Sequence, residues 1–307
     1  MRIFTVTLNT AIDVIVKEKD YKRTGLKKSA EIPAGKGINV ARALKSAKLP
    51  SHAIALVGEN DVPLFESIGN DFITAHIIPV KGETRRNITL SHTEDGLEHH
   101  ERLEGFTVTE DDFKKVTDCI MDLVSEGDWV IFSGSLPQGI SINSYSRLIK
   151  LCKTMGAYTG LDTSNGALLT AISSSPYFLK ANLEELEEIK GSKLSAKEEI
   201  EDCVKKVSAA YDIPSVMVTF AENGALIYIF EEDRFIYSDA LPEQEEKVSS
   251  VGCGDACVAG MMAGMLRRLS WEESLDEAMK YANANLYTVT PGDLDIKYLS
   301  MDIGEFE

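Results

Sequence analysis

One short segment of the chain, Gly252-Cys253-Gly254-Asp255, combines two flexible glycines with a carboxylate at the start of an apolar helical pattern. The first N–H groups of a helix have no partner within the helix, and the dipole behind them attracts phosphate oxygens. A carboxylate repels a phosphate at rest, so Asp255 indicates proton abstraction from an attacking hydroxyl. Taken alone, the pattern is also typical of an aspartate that only caps a helix.

A second glycine-rich turn, Pro33-Ala34-Gly35-Lys36-Gly37-Ile38-Asn39, leads into another helical pattern. Its spacing matches neither the Walker phosphate loop nor the dinucleotide fingerprint. Lys36 offers a mobile positive charge to an anionic ligand, and Asn39 offers both a donor and an acceptor to a polyol. The alternative for this turn alone is an ordinary glycine turn with a solvated lysine.

The overall charge restricts the class of partner. The chain has 307 residues and a formal net charge of −17, which argues against a nucleic-acid surface. A phosphorylated ligand therefore needs local basic residues, and Lys36, Arg85 and Arg86 are the candidates. Hydrophobic residues make up 44% of the chain, as in ordinary soluble globular proteins.

Cysteine usage and hydropathy indicate the compartment. The five cysteines include no Cys-x-x-Cys pair, so no disulfide framework is predicted. No apolar run approaches the roughly 20 residues that span a bilayer, and the N-terminus does not resemble a signal peptide. We therefore expect a cytoplasmic protein without a membrane partner.

Short apolar runs alternate with helical patterns along most of the chain. The predicted strands are Arg2–Leu8, Ile54–Val57, Trp129–Ser133, Tyr158–Asp162 and Val216–Thr219. Helices are predicted to begin at Thr109, at a capping box starting with Ser195 and at another starting with Ser270. Such alternation predicts an α/β fold with a mostly parallel sheet and ligands at the carboxyl ends of its strands.

Two regions break the alternation, at about residues 12–32 and 86–103. Both contain two-residue periodicity, and Thr93–Gly96 supplies a hairpin turn for the second. We interpret them as strands of a small β-sheet lid inserted into one domain that covers residues 1–307. His99 and His100 are adjacent on a predicted strand and point to opposite faces, so a shared metal ion is not expected there.

With both glycine motifs placed, the sequence resembles the ribokinase-like (PfkB) carbohydrate kinases, and most closely their 1-phosphofructokinase and tagatose-6-phosphate kinase branch. The resemblance covers nearly the whole chain. Further landmarks are Thr7–Asp13, Gly82–Asn87, Ser133–Gly139, Leu161–Ser164, Lys180–Leu186 and Thr219–Ala225. The resemblance implies a ribokinase-like three-layer α/β/α core with a small β-sheet lid.

The resemblance also implies roles on the acceptor side. Asp255 is the expected catalytic base, and Gly252, Cys253 and Gly254 are expected to form an anion hole with their N–H groups. Further residues are expected to bind the acceptor. Asp13, Gly37 and Asn39 are expected to hold the sugar hydroxyls, and Lys36 and Arg85 the phosphate already on the sugar; Ser135 adds a hydroxyl contact, and Gly35 belongs to the same substrate-binding set.

On the donor side, the resemblance implies ATP and Mg²⁺ as cofactors. Lys180, Asn182 and Glu185 resemble an Asn-x-x-Glu motif that organises Mg²⁺, with Glu185 acting through water. Standing alone, this stretch reads as a charged helix start. Other expected nucleotide contacts are Thr219, Glu222, Asn223, Gly224, Asn283 and Gly292.

Three positions depart from the family pattern. Thr10 stands where proline is usual, Ala181 stands where the family has Lys-Pro-Asn, and Cys253 stands where alanine is common. None of them removes a reacting group, but they bear on nucleotide affinity.

The expected activity is ATP-dependent phosphorylation of a ketohexose monophosphate. Fructose 1-phosphate is the first candidate, followed by tagatose 6-phosphate and fructose 6-phosphate. A neutral-sugar or nucleoside kinase is an alternative that Lys36 and Arg85 argue against, and a sugar-phosphate sensor is one that Asp255 argues against. A homodimer formed through the lid is also expected.

Overall fold

The fold is taken from a computed structural model, which describes residues 1–17, 30–91, 98–242 and 247–299. The predicted turn Thr93–Gly96 and most of the first inserted region lie outside these residues. Two β-sheets organise the described part of the chain.

Strands are numbered here in chain order. The large sheet has nine strands, ordered β13-β12-β11-β10-β9-β8-β1-β4-β5. They are β1 (Ile3–Thr7), β4 (Ser51–Gly58), β5 (Ile73–Val80), β8 (Trp129–Ser133), β9 (Tyr158–Asp162), β10 (Phe178–Asn182), β11 (Ser215–Thr219), β12 (Ala225–Ile229) and β13 (Arg234–Ser238). All neighbouring pairs from β5 to β11 are parallel, and β12 and β13 continue the sheet antiparallel.

The small sheet has four strands in the order β3-β2-β6-β7. They are β2 (Ala11–Lys17), β3 (Ala30–Ala34), β6 (Arg85–Ser91) and β7 (Glu98–Arg102). β2 pairs parallel with β6, and the two outer pairs are antiparallel. Its strands come from the two regions that the sequence predicted as insertions. His99 and His100 lie on β7, and their side chains are outside what the structure describes.

Helices cover both faces of the large sheet and give the predicted three-layer architecture. In chain order they are α1 (Lys36–Ser46), α2 (Val62–Glu66), α3 (Glu110–Leu123), α4 (Ser144–Thr154), α5 (Asn165–Ala171), α6 (Leu183–Lys190), α7 (Lys197–Tyr211), α8 (Cys253–Arg267), α9 (Trp271–Asn285) and α10 (Ile296–Leu299). The core on one face includes apolar residues of α3 to α7, and the cores on the other include α1, α2, α8 and α9.

The close packing of α8 against α9 fixes the position of α8. A Cβ at Gly260 would lie 2.5 Å from the Cα of Ala278, and one at Gly264 would overlap the Ser274 hydroxyl. The two helices therefore pack nearly backbone to backbone. Among the described residues, none of the helices has the length and apolar character of a bilayer-spanning segment.

The predicted strands and helix starts agree with the structure apart from small shifts in bounds and one cap. The capping box predicted from Ser195 is wrong by one residue, because α7 begins at Lys197 and its N-cap is Ala196. Glu199, rather than Glu198, accepts from the Ser195 N–H at 3.1 Å. The Glu199 carboxylate therefore accepts from the backbone before α7, whereas the sequence predicted that the Ser195 hydroxyl would also cap the helix.

Candidate active site

Asp255 lies in the first turn of α8, at the carboxyl edge of the large sheet. The helix is preceded by Gly252, whose φ of +87° favours glycine, and no side chain caps the helix start. Asp255 is only 5% exposed, and its Oδ2 accepts a hydrogen bond from Asn39 Nδ2 at 2.8 Å. The structure thus joins residues from the two glycine motifs.

The surroundings of Asp255 suit a proton acceptor. Burial raises the pKa of Asp255 to about 6, against the opposing effects of the Lys36 charge, the Asn39 hydrogen bond and the Lys180 charge. The charge of Asp162 adds to the rise in pKa. A carboxyl group with such a pKa is ionised near neutral pH and is still basic enough to accept a proton from an alcohol in a transition state.

Two lysines converge on Asp162, which ends β9 and is fully buried. Lys36 Nζ lies 3.1 Å from Asp162 Oδ1, and Lys180 Nζ lies 3.5 Å from the same atom. Burial opposes ionisation of Asp162, but the two lysines outweigh it and lower the pKa of this carboxyl. Burial alone would also lower the pKa of Lys36, yet Asp162, Asp255 and Glu185 together raise it. Lys36 is therefore charged at neutral pH.

Lys180 also lies beside the start of α8. A Cβ added to Gly254 would be 3.0 Å from Lys180 Nζ, so the ammonium group lies close to the first turn of this helix. A cation and the positive end of a helix dipole at one place attract an anion more strongly than either does alone. Within this turn, the Cys253 N–H donates a long 3.3 Å bond to the Ser250 carbonyl.

The start of α1 packs directly against β1. Gly35 has φ of +137°, and a Cβ there would lie 2.7 Å from Thr7 Cγ2. A Cβ at Gly37 would lie 2.5 Å from Thr7 Oγ1. Only glycines let this turn approach the strand closely enough for Lys36 to reach Asp162 and for Asn39 to reach Asp255.

Asp13 lies on β2, where the small sheet leaves β1. Its Oδ1 accepts a hydrogen bond from Asn87 Nδ2 of β6 at 2.8 Å. Burial raises the pKa of Asp13, whereas the Asn87 hydrogen bond and the charges of Arg42 and Arg85 oppose this rise. Asn87, whose side chain orients this carboxylate, was not among the predicted site residues.

Arg85 and Ser135 are linked through Asn9. Arg85 donates to the carbonyls of Thr10 and Asn9 at 3.2 and 3.3 Å. Asn9 Nδ2 in turn donates to Ser135 Oγ at 3.0 Å. Through Asn9, these contacts connect two residues that were predicted to bind the acceptor.

Arg86, the third basic candidate, faces other carboxylates. Its guanidinium lies 3.3 Å from Asp61, 3.6 Å from Glu83 and 3.7 Å from Glu31. A guanidinium surrounded by three carboxylates is a weaker candidate for binding a phosphate.

Asn182 and Glu185 form a reciprocal cap at the start of α6. Asn182 Oδ1 accepts from the Glu185 N–H at 2.8 Å, and Glu185 Oε2 accepts from the Asn182 N–H at 2.8 Å. This stretch therefore forms the charged helix start that its sequence alone also indicates. Glu185 nevertheless has a second carboxylate oxygen, and burial raises its pKa although the Lys180 charge opposes this.

The remaining predicted nucleotide residues lie farther along the carboxyl edge. Thr219 ends β11 and donates to the Ala181 carbonyl at 3.5 Å, and Glu222 and Asn223 lie in an exposed 3-10 turn before Gly224. Asn283 is buried on α9, and neither polar atom of its amide has a partner among the described residues. The Gly292 N–H donates to Asn285 Oδ1 at 2.8 Å.

Comparison with known proteins places this geometry in context. A family described as pfkB family carbohydrate kinase matches residues 6–290. The 1-phosphofructokinase of Bacillus subtilis (strain 168) is 33% identical over 290 residues, which cover 93% of each chain. The ATP-dependent 6-phosphofructokinase isozyme 2 of Mycobacterium tuberculosis (strain H37Rv) is 29% identical over 95% of this chain and 85% of its own. The crystal structure of phosphofructokinase-2 from Escherichia coli in complex with potassium superposes with a TM-score of 0.84. It covers 95% of this chain and 94% of its own at 23% identity, and so supports the fold.

Proposed function

This chain belongs to the pfkB family of carbohydrate kinases, and from that premise we propose that it transfers the γ-phosphate of ATP to fructose 1-phosphate, giving fructose 1,6-bisphosphate. The relative from Bacillus subtilis, named 1-phosphofructokinase, supports this choice of acceptor. The proposal depends on one observation: a buried carboxylate, Asp255, is held by Asn39 at a glycine-capped helix start beside two lysines.

In the proposed step, a carboxylate oxygen of Asp255 accepts the proton of the free terminal hydroxyl of the sugar. The hydroxyl oxygen forms a bond to the γ-phosphorus as the bond between that phosphorus and the bridging oxygen of ADP breaks. The electron pair of the broken bond leaves with ADP. Such a transfer needs positioning and charge neutralisation more than covalent chemistry.

The start of α8 supplies the neutralisation. The N–H groups of Gly252, Cys253 and Gly254 form the proposed anion hole, with Cys253 exchanging its long bond to Ser250 for the phosphoryl oxygen. Lys180 adds a positive charge beside Gly254. Preorganised donors of this kind stabilise charge that develops during transfer.

The acceptor binds between α1 and the small sheet. Asp13, Gly37 and Asn39 bind the sugar hydroxyls in this proposal. Lys36 and Arg85 bind the phosphate already on the sugar, with Gly35 shaping the turn. Ser135, joined to Arg85 through Asn9, adds a hydroxyl contact. Lys36 would turn from Asp162 toward that phosphate, since its amine is partly exposed.

ATP binds along the carboxyl ends of β10 and β11 in this proposal, against Lys180, Asn182, Thr219 and the turn at Glu222, Asn223 and Gly224. Asn283, whose buried amide has no partner among the described residues, is a further proposed nucleotide contact. Mg²⁺ would screen the phosphate charges when bound. Within the described residues, no three His, Cys, Asp or Glu side chains form a metal cluster, so the ion would be held mainly by phosphates and water. The free carboxylate oxygen of Glu185 fits such indirect coordination.

Fructose 6-phosphate is a second candidate acceptor, because the relative from Mycobacterium tuberculosis is named a 6-phosphofructokinase. Tagatose 6-phosphate is the third. We further propose that the small sheet closes over the acceptor and excludes water, and that two copies of the chain associate through it.

A substrate panel tests the proposal. The purified protein is assayed with Mg²⁺ and ATP against fructose 1-phosphate, tagatose 6-phosphate, fructose 6-phosphate, fructose and ribose. We expect the highest kcat/KM with fructose 1-phosphate. A preference for either 6-phosphate would move the assignment to that kinase, and turnover of the neutral sugars alone would refute a phosphosugar acceptor.

The variant Arg85→Met sharpens the panel. Losing a charged hydrogen bond weakens acceptor binding by about 1.5 to 3 kcal/mol, which appears as a higher KM for the sugar phosphate. Arg147→Met is the matched control, because Arg147 pairs with exposed Glu110 at 2.9 Å on α3. An unchanged KM in Arg85→Met would remove Arg85 from the acceptor site.

A further inference from the structure

The guanidinium of Arg42 joins three segments that are far apart in the sequence. Arg42 lies on α1 and is only 8% exposed. Its Nη1 donates to Asn39 Oδ1 at 3.2 Å and to the Pro291 carbonyl at 2.9 Å. Its Nη2 donates to the Pro33 carbonyl of β3 at 2.5 Å. One side chain thereby connects the small sheet, α1 and the loop after α9.

All three of these acceptors are uncharged. A guanidinium is costly to bury, and neutral acceptors return less free energy than a carboxylate does. The charges of Asp13 and Asp293 favour the guanidinium, but none of these three hydrogen bonds goes to a carboxylate, so an ion pair does not by itself account for this placement. The fixed fork geometry of arginine does, because it can hold several acceptors in defined directions at once.

The consequence for Asn39 is a defined amide orientation. Since Asn39 Oδ1 accepts from Arg42, its Nδ2 is the atom that faces Asp255 Oδ2. A flipped amide would place its oxygen against the carboxylate and its NH₂ group against the guanidinium, and both contacts would be repulsive. Arg42 therefore selects the orientation in which Asn39 donates to Asp255.

The Pro291 contact extends this control to the start of α8. A Cβ at Gly252 would lie 2.6 Å from Pro291 Cβ, and one at Gly292 would overlap the Asn39 carbonyl oxygen. The loop that accepts from Arg42 thus packs against both ends of the Asn39–Asp255 hydrogen bond.

We propose that Arg42 is a positioning residue for phosphoryl transfer, which acts on Asp255 through the amide of Asn39. The inference rests on the proposed role of Asp255 as the base. It assigns to Arg42 no contact with either substrate.

The first test measures the titration of Asp255 directly. Carboxyl carbons of labelled aspartate are followed by NMR against pH in the ligand-free protein, and Asp255→Asn identifies the signal. Arg42→Met frees the Asn39 amide to turn away, so the pKa of Asp255 should rise. Lys36, Asp162 and Lys180 also act on Asp255 and are unchanged in this variant.

A second set of variants separates positioning from general damage to the fold. Arg42→Lys keeps the charge but cannot span three acceptors, so it should raise the pKa of Asp255 by less than Arg42→Met does. If Arg42→Met does not fold, the titration of Arg42→Lys alone tests the proposal. In an Asn39→Ala background, the change at position 42 should no longer move the Asp255 titration. Lys45→Met is the control on the same helix, because Lys45 pairs with exposed Asp293 at 3.0 Å, and it should change nothing.

Activity provides the companion readout. Misplacing the base should lower kcat by up to about 100-fold in Arg42→Met and move the acid limb of its pH profile upward. An unchanged Asp255 titration in both Arg42 variants would overturn the inference, as would a shift that persists in the Asn39→Ala background. The NMR titration needs no substrate, so a failure of the proposed sugar-phosphate activity is seen separately.

Discussion

Two kinds of helix start contrast along the carboxyl edge of the large sheet. The N-caps of α1 and α8 are Gly35 and Gly252, and no side chain caps either helix. The N-cap of α6 is Asn182, whose side chain and backbone exchange hydrogen bonds with Glu185. A glycine start leaves backbone donors available, whereas a reciprocal cap uses its donors internally.

This difference separates sites that can bind an anion through the backbone from sites that can act only through side chains. The starts of α1 and α8 are the two glycine motifs, and they meet at the Asn39–Asp255 hydrogen bond. The start of α6 contributes the free oxygen of Glu185 and the preceding Lys180. Capping of α6 and the proposed nucleotide contact are thus compatible, because one carboxylate oxygen of Glu185 serves the cap and the other serves the proposed contact.

Replacing the carboxylate of the glycine-capped α8 should have the largest effect. Asp255→Asn keeps an acceptor for Asn39 but cannot take a proton, so kcat should fall by about 10²- to 10⁴-fold. Because burial raises the pKa of Asp255 to about 6, charging it costs stability as the pH rises toward that value, and the cost is complete above it; the variant should therefore unfold at an equal or higher temperature at pH 7. Wild-type kcat in this variant would exclude Asp255 as the base.

Filling the glycine start should come next. In Gly254→Ala the new Cβ lies at 3.0 Å from Lys180 Nζ, which can move aside, so the fold should persist while kcat falls by about 100-fold. Gly191→Ala, at the other end of α6, is the control for added backbone strain: a Cβ there meets nothing within 4 Å, but its φ of +78° favours glycine, so this variant should lose some stability. It should leave kcat unchanged. Equal kcat values in the two variants would remove the contrast between the helix starts.

At the capped start, only the side-chain oxygen should matter. Glu185→Gln preserves an acceptor for the Asn182 N–H but removes the charge, so the Mg²⁺ concentration for half-maximal activity should rise about tenfold. Exposed Glu184 provides the control Glu184→Gln. An unchanged Mg²⁺ requirement would leave Glu185 with its capping role alone.

The pH dependence of kcat tests the charges around α8. Activity should fall as the pH drops through about 6, because protonated Asp255 cannot accept a proton. Lys36→Met removes a charge that lowers the Asp255 pKa, so the pH at which activity is half lost should rise. Asp162→Asn removes a charge that raises the Asp255 pKa, so the same pH should fall. Shifts in the same direction would contradict this electrostatic account.

The smallest effect is expected at a capped helix remote from the site. Thr109 caps α3 by accepting from the Asp112 N–H at 3.2 Å, and Thr109→Ala should cost about 1 kcal/mol in the free energy of unfolding. Thr117→Ala on the same helix should cost less, and neither should change kcat. Denaturant unfolding measures both, and a change in kcat would contradict the separation of structural caps from the site.

Local patterns were sufficient to predict much of the fold. β8 and β9 have the predicted bounds, because short buried runs between turn residues leave few alternatives. The caps at Thr109 and Ser270 were also correct. Ser195 was not, because Glu199 can reach the backbone on either side of the true cap.

The electrostatic partners of the site could not be read from local patterns. Lys36 and Asp162 are 126 positions apart, and Arg42 and the Pro291 carbonyl are 249 apart. Sheet order brings such pairs together, and no periodicity in the sequence encodes it. Residue type also gives no indication of a backbone carbonyl acceptor such as those of Pro33 and Pro291, because every residue has a carbonyl.

The backbone contact between α8 and α9 has a consequence for how acceptor preference could change. With Gly260 and Gly264 against Ala278 and Ser274, even one added methyl group would push the helix that carries Asp255 out of place. Variation that retunes the enzyme for another sugar is therefore tolerable on β2 and β6, whereas the face of α8 that packs against α9 must stay constant. Libraries aimed at new acceptors should spare α8 and diversify the small sheet.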